Sequence, residues 1–234
     1  MTRSISHPPA REAAGPVCFG TRRVHPVTPL DLGPLPRPAE ATALAALLPT
    51  LLCGEESASL VFERFAAGAG ADTCRSALAR IASEESAHET LLRSLRIALD
   101  EAGHSAAATP GIRQFFRGAG DRDPGRHFMR IAALDSALCT LLAELRRGSG
   151  IFVENRTIGA IFARIHRDEA RHVVTSLGFA SVTCGRAERL ATAEDMRGRF
   201  ARMLMGQADA LETLGADPDR LFARLATVPS SLGR

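Results

Sequence analysis

Four stretches of the chain carry apolar residues at three- and four-residue spacing, and each is interrupted at one level by acids or imidazoles. The first reads Leu48, Leu51, Glu55, Ala58, Phe62, Phe65, and the second Leu78, Ile81, Glu85, His88, Leu92, Leu95. The third reads Phe128, Ile131, Asp135, Leu138, Leu142, Leu145, and the fourth Ile158, Phe162, Ile165, Glu169, His172, Ser176, Phe179. This period is that of helices with one core-facing seam. No stretch alternates strongly enough to predict a strand, so the fold class is all-α.

Punctuation residues set the expected bounds. Pro49 is expected to kink or restart the first helix, with its main run over about 50–68 before Gly68-Ala-Gly70. Asp72 is a candidate cap for a second helix running to about 102. A linker over 103–122 holds a short helix around Ile112–Arg117. Pro124 suits the first turn of a third helix that ends near residue 147, before Gly148-Ser-Gly150. A fourth spans about 155–179, a fifth about 186–214, and a short sixth follows Asp217-Pro218. Residues 1–38 are rich in proline and are expected to form an extended arm, leaving 39–234 as one helical domain with its core over about 40–180 and extra helices over about 186–228.

Two segments repeat. ARIASEESAH (79–88) aligns without a gap on ARIHRDEARH (163–172), matching Glu85 with Glu169, His88 with His172 and Glu84 with Asp168. Each copy follows a helix–turn unit, which predicts two helical hairpins facing each other about a pseudo-two-fold; chance similarity in Arg/Ala-rich helices is the alternative.

The interrupted seams carry the chemistry. An unpaired buried carboxylate costs several kcal/mol, and four at one level repel each other. Two divalent cations would neutralise them and use the imidazoles as neutral donors. A carboxylate from each of two helices plus Glu-x-x-His from each of two others is a dinuclear metal pattern. The candidate ligands are Glu55, Glu85, His88, Asp135, Glu169 and His172. Glu56, Glu84 and Asp168 fall one position off the seam, facing solvent or supporting the site. Glu144 falls two positions off, which favours Asp135. The alternative is a metal-free Glu–His network compensated by Arg80, Arg164 or Arg171. His166 lies nearly on the face of Glu169, as a third nitrogen ligand, a supporting group or a half-exposed surface histidine. Phe62, Phe65 and Phe162, with Cys139 one turn beyond Asp135, are expected as pocket walls or as plain core. His127, two turns before Asp135, lines an entrance or is exposed in the first helical turn.

Composition narrows the classes. The formal charge of +3 over 234 residues is too small to argue for nucleic acid. No run approaches the ~18 apolar residues of a membrane span, and no apolar stretch of a secretory signal follows Met1. There is no Lys, which removes Schiff-base and P-loop chemistry, and no Tyr or Trp to hold a radical. Five cysteines without a C-x-x-C pair read as reduced thiols of a cytoplasmic protein and argue against a four-cysteine iron module.

The order Glu, Glu-x-x-His, carboxylate, Glu-x-x-His resembles the ferritin-like di-iron carboxylate superfamily, over about residues 40–180. GEESASLVF (54–62) is similar to the first-helix motif of aldehyde-deformylating oxygenase and of rubrerythrin, in which the Glu three residues before an Ala, here Glu55, is a ligand. The resemblance implies a four-helix bundle with two iron ions, or Mn or mixed Fe/Mn, held by the six residues above, with Glu85 and Glu169 bridging. Asp135 departs from the usual Glu. His166 is similar to the extra histidine of the p-aminobenzoate N-oxygenase group, whose spacing is one residue longer. The implied activity is that of a non-haem oxidase or oxygenase using O2 on a small organic substrate, with an external electron donor and no nucleic-acid or membrane partner; a homodimer fits. Iron oxidation or peroxide handling of the ferritin and rubrerythrin kind, and a metal-free helical binding module, are the alternatives.

Overall fold

The computed structural model describes residues 19, 27–33, 35, 37–147 and 150–233. These residues form helices and no strand, so the fold is all-α. Most of the proline-rich segment lies outside the described residues. Its described part before α1, residues 19, 27–33, 35 and 37, is neither helix nor strand. It rests on the body through Leu30, Leu32 and Leu35 and through a bond from Asn155 Nδ2 to the Leu32 carbonyl.

Helix α1 (Pro38–Gly68) begins with a proline in its first turn, where no amide partner is needed, and ends before Gly70. It runs without interruption through Pro49, which the sequence marked as a kink or restart. The proline φ is already helical, and its lost bond, worth about 3 kcal/mol, is offset by full burial of Leu47, Leu48 and Leu52 around it. By length and composition α1 could cross a bilayer, with mean hydropathy 1.3, contrary to the reading that no run approaches a span. In the structure 67% of that apolar window is buried inside the protein, the pattern of a core helix.

Helix α2 (Asp72–Glu101) folds back along α1. Asp72 does not cap it. It sits in the first turn, where its charge favours the positive helix end and meets Arg75. Helix α3 (Pro110–Arg117) is capped by Thr109, α4 (Pro124–Leu145) by Asp123 and α6 (Arg156–Thr183) by Asn155, each side chain accepting from a backbone N–H three residues on. Between α4 and α6 a short turn, α5 (Ile151–Glu154), is anchored where the Ile151 amide donates to Glu40. A side chain at Gly150, with φ of 120°, would collide with that carboxylate.

The predicted fifth helix is two: α7 (Arg186–Leu204) and α8 (Ala208–Thr213), divided by a 3-10 turn containing Gly206. Asp217 caps α9 (Pro218–Ala226). α4 packs along α6 as α1 packs along α2, and the pairs meet between α2 and α6, whereas α1 and α4 scarcely touch. Their outer side is covered by α3, α7 and α9. Glu144, buried on α4, pairs with Arg147, Arg220 and Arg224 and ties α9 down. Buried Arg197 of α7 donates to Ser136 Oγ and to the carbonyls of Thr227 and Arg224.

Candidate metal centre

The seams of α1, α2, α4 and α6 converge at one level. Glu55, Glu85, His88, Asp135, Glu169 and His172 are all buried, the most exposed being Asp135 at 7%. Two sets could each hold a metal ion: Glu55, Glu85, His88 and Glu169, and Asp135, Glu169 and His172. Within each set the donor atoms lie within 4.8 Å of one another. Donors bound about 2.1 Å from one ion stand about 3 to 4 Å apart, so little movement is needed.

Glu169 belongs to both sets. Its Oε1 lies 3.5 Å from His88 Nδ1 and 3.6 Å from His172 Nδ1. Glu85 likewise spans the centre, with Oε1 3.0 Å from His172 Nδ1 and Oε2 3.8 Å from His88 Nδ1. The 3.0 Å approach is not a hydrogen bond: Glu85 Oε1 and His172 Nδ1 are both buried without a hydrogen-bond partner, as are Glu169 Oε1 and Asp135 Oδ2. Polar atoms are rarely orphaned so deeply. Here several are orphaned at one point, with lone pairs that a shared cation would satisfy.

The outer ring nitrogens are held by the opposite helix. His88 Nε2 lies 3.0 Å from Asp168 on α6, and His172 Nε2 lies 2.9 Å from Glu84 on α2. A carboxylate only accepts, so both Nε2 atoms carry hydrogen and both Nδ1 atoms face the centre. Arg171 fastens the two straps together, 2.8 Å from Asp168 and 3.0 Å from Glu84, with Arg80 on Glu84 and Arg164 on Asp168. The arginines that could have neutralised a metal-free Glu–His network thus bind the outer acids. Of the alternatives for Glu84 and Asp168, the supporting one is realised. Glu56 is buried instead on another face, accepting from the Phe19 amide.

The electrostatics follow from burial at close range. Burial, then the Glu85 carboxylate, pushes Glu55 well above the usual carboxylate range. Burial, then Glu169, does the same to Asp135. For Glu85 burial pulls upward, but the close imidazoles of His172 and His88 outweigh it and hold the group at about 2. For His172 burial pulls downward, but Glu169 and Glu85 push it up to about 12, and His88 is raised further in the same way. Without cations these shifts favour protons on both imidazoles, Glu55 and Asp135, charge that divalent ions would otherwise supply.

His166 is not brought to the centre. It is half-buried, with Nδ1 3.2 Å from Arg146 Nη1. Cys139 points its thiol at the His166 carbonyl at 3.8 Å, and burial pushes that thiol up.

A cavity of about 80 Å3 opens beside the carboxylates between α1 and α4. Glu55, Glu85, Asp135 and Glu169 form one side of it, and His88 and His172 do not reach it. Its walls correct the expected ones. Phe62, Phe65, Phe162 and Cys139 are not in its lining, whereas Ala58, Val61, Leu134, Leu138, Phe116 and Phe200 are. Phe62 packs toward His172 and Phe162 against Phe152 on the far side, while Phe65 stacks on Phe128. Phe116 and Phe200 come from α3 and α7, outside the four seams, so no seam pattern could find them. His127 does line the cavity, buried rather than exposed.

Comparison with protein-family models, with characterised proteins and with solved structures finds no match, so the reading of this centre rests on its geometry.

Proposed function

We propose that the protein is a non-haem dinuclear oxidase or oxygenase built on a ferritin-like four-helix bundle, binding two iron ions and oxidising a small, largely apolar molecule with O2. One observation carries the reading: buried carboxylate and imidazole groups from four helices converge at the side of an apolar cavity, and Glu85, Asp135, Glu169 and His172 each keep an atom there without a hydrogen-bond partner. Glu55, Glu85, His88 and Glu169 would hold one ion. Asp135, Glu169 and His172, with Glu85, would hold the other.

Bound iron would supply one-electron steps and open coordination positions for O2. The chain's own part is to place and protect. Asp168 and Glu84 keep each imidazole in the ligating tautomer, the α1–α4 walls exclude water, and the cavity sets substrate beside the carboxylates rather than the imidazoles. Inserting one oxygen atom consumes O2, two electrons and two protons and releases water. The chain has no Tyr, Trp or four-cysteine module to store the electrons, so an external donor supplies them.

The apolar wall favours an organic substrate over iron in transit, which would need polar steps along its route. The competing reading, a metal-free module, draws on the raised pKa values of His88, His172, Glu55 and Asp135, whose protons would offset the carboxylate charge without a metal.

Metal content per chain after anaerobic loading with excess Fe(II) and desalting separates them. Retention of two irons, lost in Glu85→Ala and Glu169→Ala, supports the proposal. A folded protein that keeps none makes the centre a structural network.

A further inference from the structure

The cavity has two chemically different ends. Along α4, His127, Ile131, Leu134, Asp135 and Leu138 share its face. Eight residues, about 12 Å of helix axis, separate His127 from Asp135. On α1, Val61 lines the cavity, and Phe65 one turn on meets the His127 ring edge-on at 5.2 Å. The two helices therefore run antiparallel, and His127 marks the end reached by the last turns of α1.

His127 is 9% exposed and is the one ionisable lining residue outside the carboxylate cluster. The other polar linings are Thr50, which accepts from Gln207, and Ser57. Arg64 stands one turn beyond Val61, exposed, with no ion-pair or hydrogen-bond partner among the described residues. Arg130 is already bound to Asp121 and to the carbonyls of Ala119 and Gly120, and Asp121 is shared with Arg126. Burial lowers the His127 pKa; the Asp121 backbone and carboxylate oppose this, and the charges of Arg64 and Arg130 add to it, leaving the group lowered. Among the described residues, this end of an apolar cavity thus holds one guanidinium, that of Arg64, without a compensating acid. An anion supplies what it lacks, since a charge-assisted bond to Arg is about twice as strong as a neutral one.

We propose that His127 and Arg64 bind the carboxylate of an apolar, carboxylate-terminated substrate whose far end lies beside Glu55 and Asp135. The assignment of that far end as the reacting one rests on the dinuclear reading; the anion-binding end does not. Arg64 supplies the charge. His127 takes up a proton as the carboxylate enters and donates it as a hydrogen bond.

The test is calorimetric titration of the full chain, iron-loaded and metal-free, with octanoate and with 1-octanol. Octanoate is expected to bind at least about tenfold tighter than octanol in both forms. It is expected to take up a proton, read from the dependence of the heat on buffer ionisation. Arg64→Gln and His127→Gln each weaken octanoate about tenfold and leave octanol unchanged, and His127→Gln abolishes the proton uptake. Arg64 is exposed, so its variant keeps the test open if the His127 variant unfolds. Octanoate no tighter than octanol, or equal losses for both probes, overturns the proposal. Octanoate held by the metal ions would survive both substitutions and vanish in metal-free protein, which also overturns it. Octanoate bound as expected by a protein that retains no iron sustains the anion site and removes the dinuclear reading.

Discussion

Replacing Asp168 by Ala removes the acceptor of the buried His88 Nε2–H, 3.0 Å away, without touching any candidate ligand. The imidazole is fully buried, so solvent cannot replace the bond. Its ring can then turn, or shift its proton to Nδ1 and lose its ligating lone pair. Loss of such a supporting carboxylate lowers metal affinity about 10- to 100-fold, or about 1.4 to 2.8 kcal/mol. The effect is expected to be lopsided. His172 keeps its own strap to Glu84 and its neighbour Asp135, so one ion is weakened and the other is nearly untouched. Glu84→Ala should weaken the other ion instead. Competition of Co(II) or Fe(II) against a chromophoric chelator, resolved into two steps, measures this. Asp168→Asn, whose amide oxygen still accepts, should recover most of the loss. Two unchanged binding steps in Asp168→Ala, or equal weakening of both, would refute the crossed-strap argument.

Three further outcomes follow from the same geometry. Ala58→Leu places three extra carbons in a cavity of about 80 Å3, so substrate turnover should fall at least about tenfold while iron content stays the same; unimpaired turnover would place the substrate elsewhere. Metal loading should release protons, because His88, His172, Glu55 and Asp135 have raised pKa values and hold protons near neutrality that ligation displaces. Affinity should therefore rise with pH between about 6 and 8, and calorimetry in buffers of different ionisation enthalpy that finds no release would contradict the assigned protonation. Asp135→Glu should restore the longer carboxylate common in the resembled family and leave two ions bound, whereas Asp135→Ala should weaken the His172-side ion selectively, read in the same chelator competition.

The sequence by itself determined the helical class and the level of the centre. A 3.6-residue period is local, and Glu-x-x-His forces both groups onto one helix face whatever the surroundings. The preference for Asp135 over Glu144 followed from that register, with Asp135 about as far from its helix end as Glu55 is, and the structure puts Asp135 at the centre and Glu144 among three arginines of the outer layer. The helix starts near Pro124 and near residue 155 were legible for the same reason, whereas the cap expected at Asp72 is not formed. The break at Gly206, the continuity through Pro49 and the place of His166 were decided elsewhere, by packing and by the reach of Arg146. Only the tertiary structure could show that Glu84 and Asp168 cross to the opposite histidine. One position off a seam is solvent on an isolated helix and a neighbour's hydrogen-bond partner once two helices meet. The cavity was the least legible element, because it lies where α1 and α4 scarcely touch. Its walls join α1 and α4 to Phe116 and Phe200, which no single period relates.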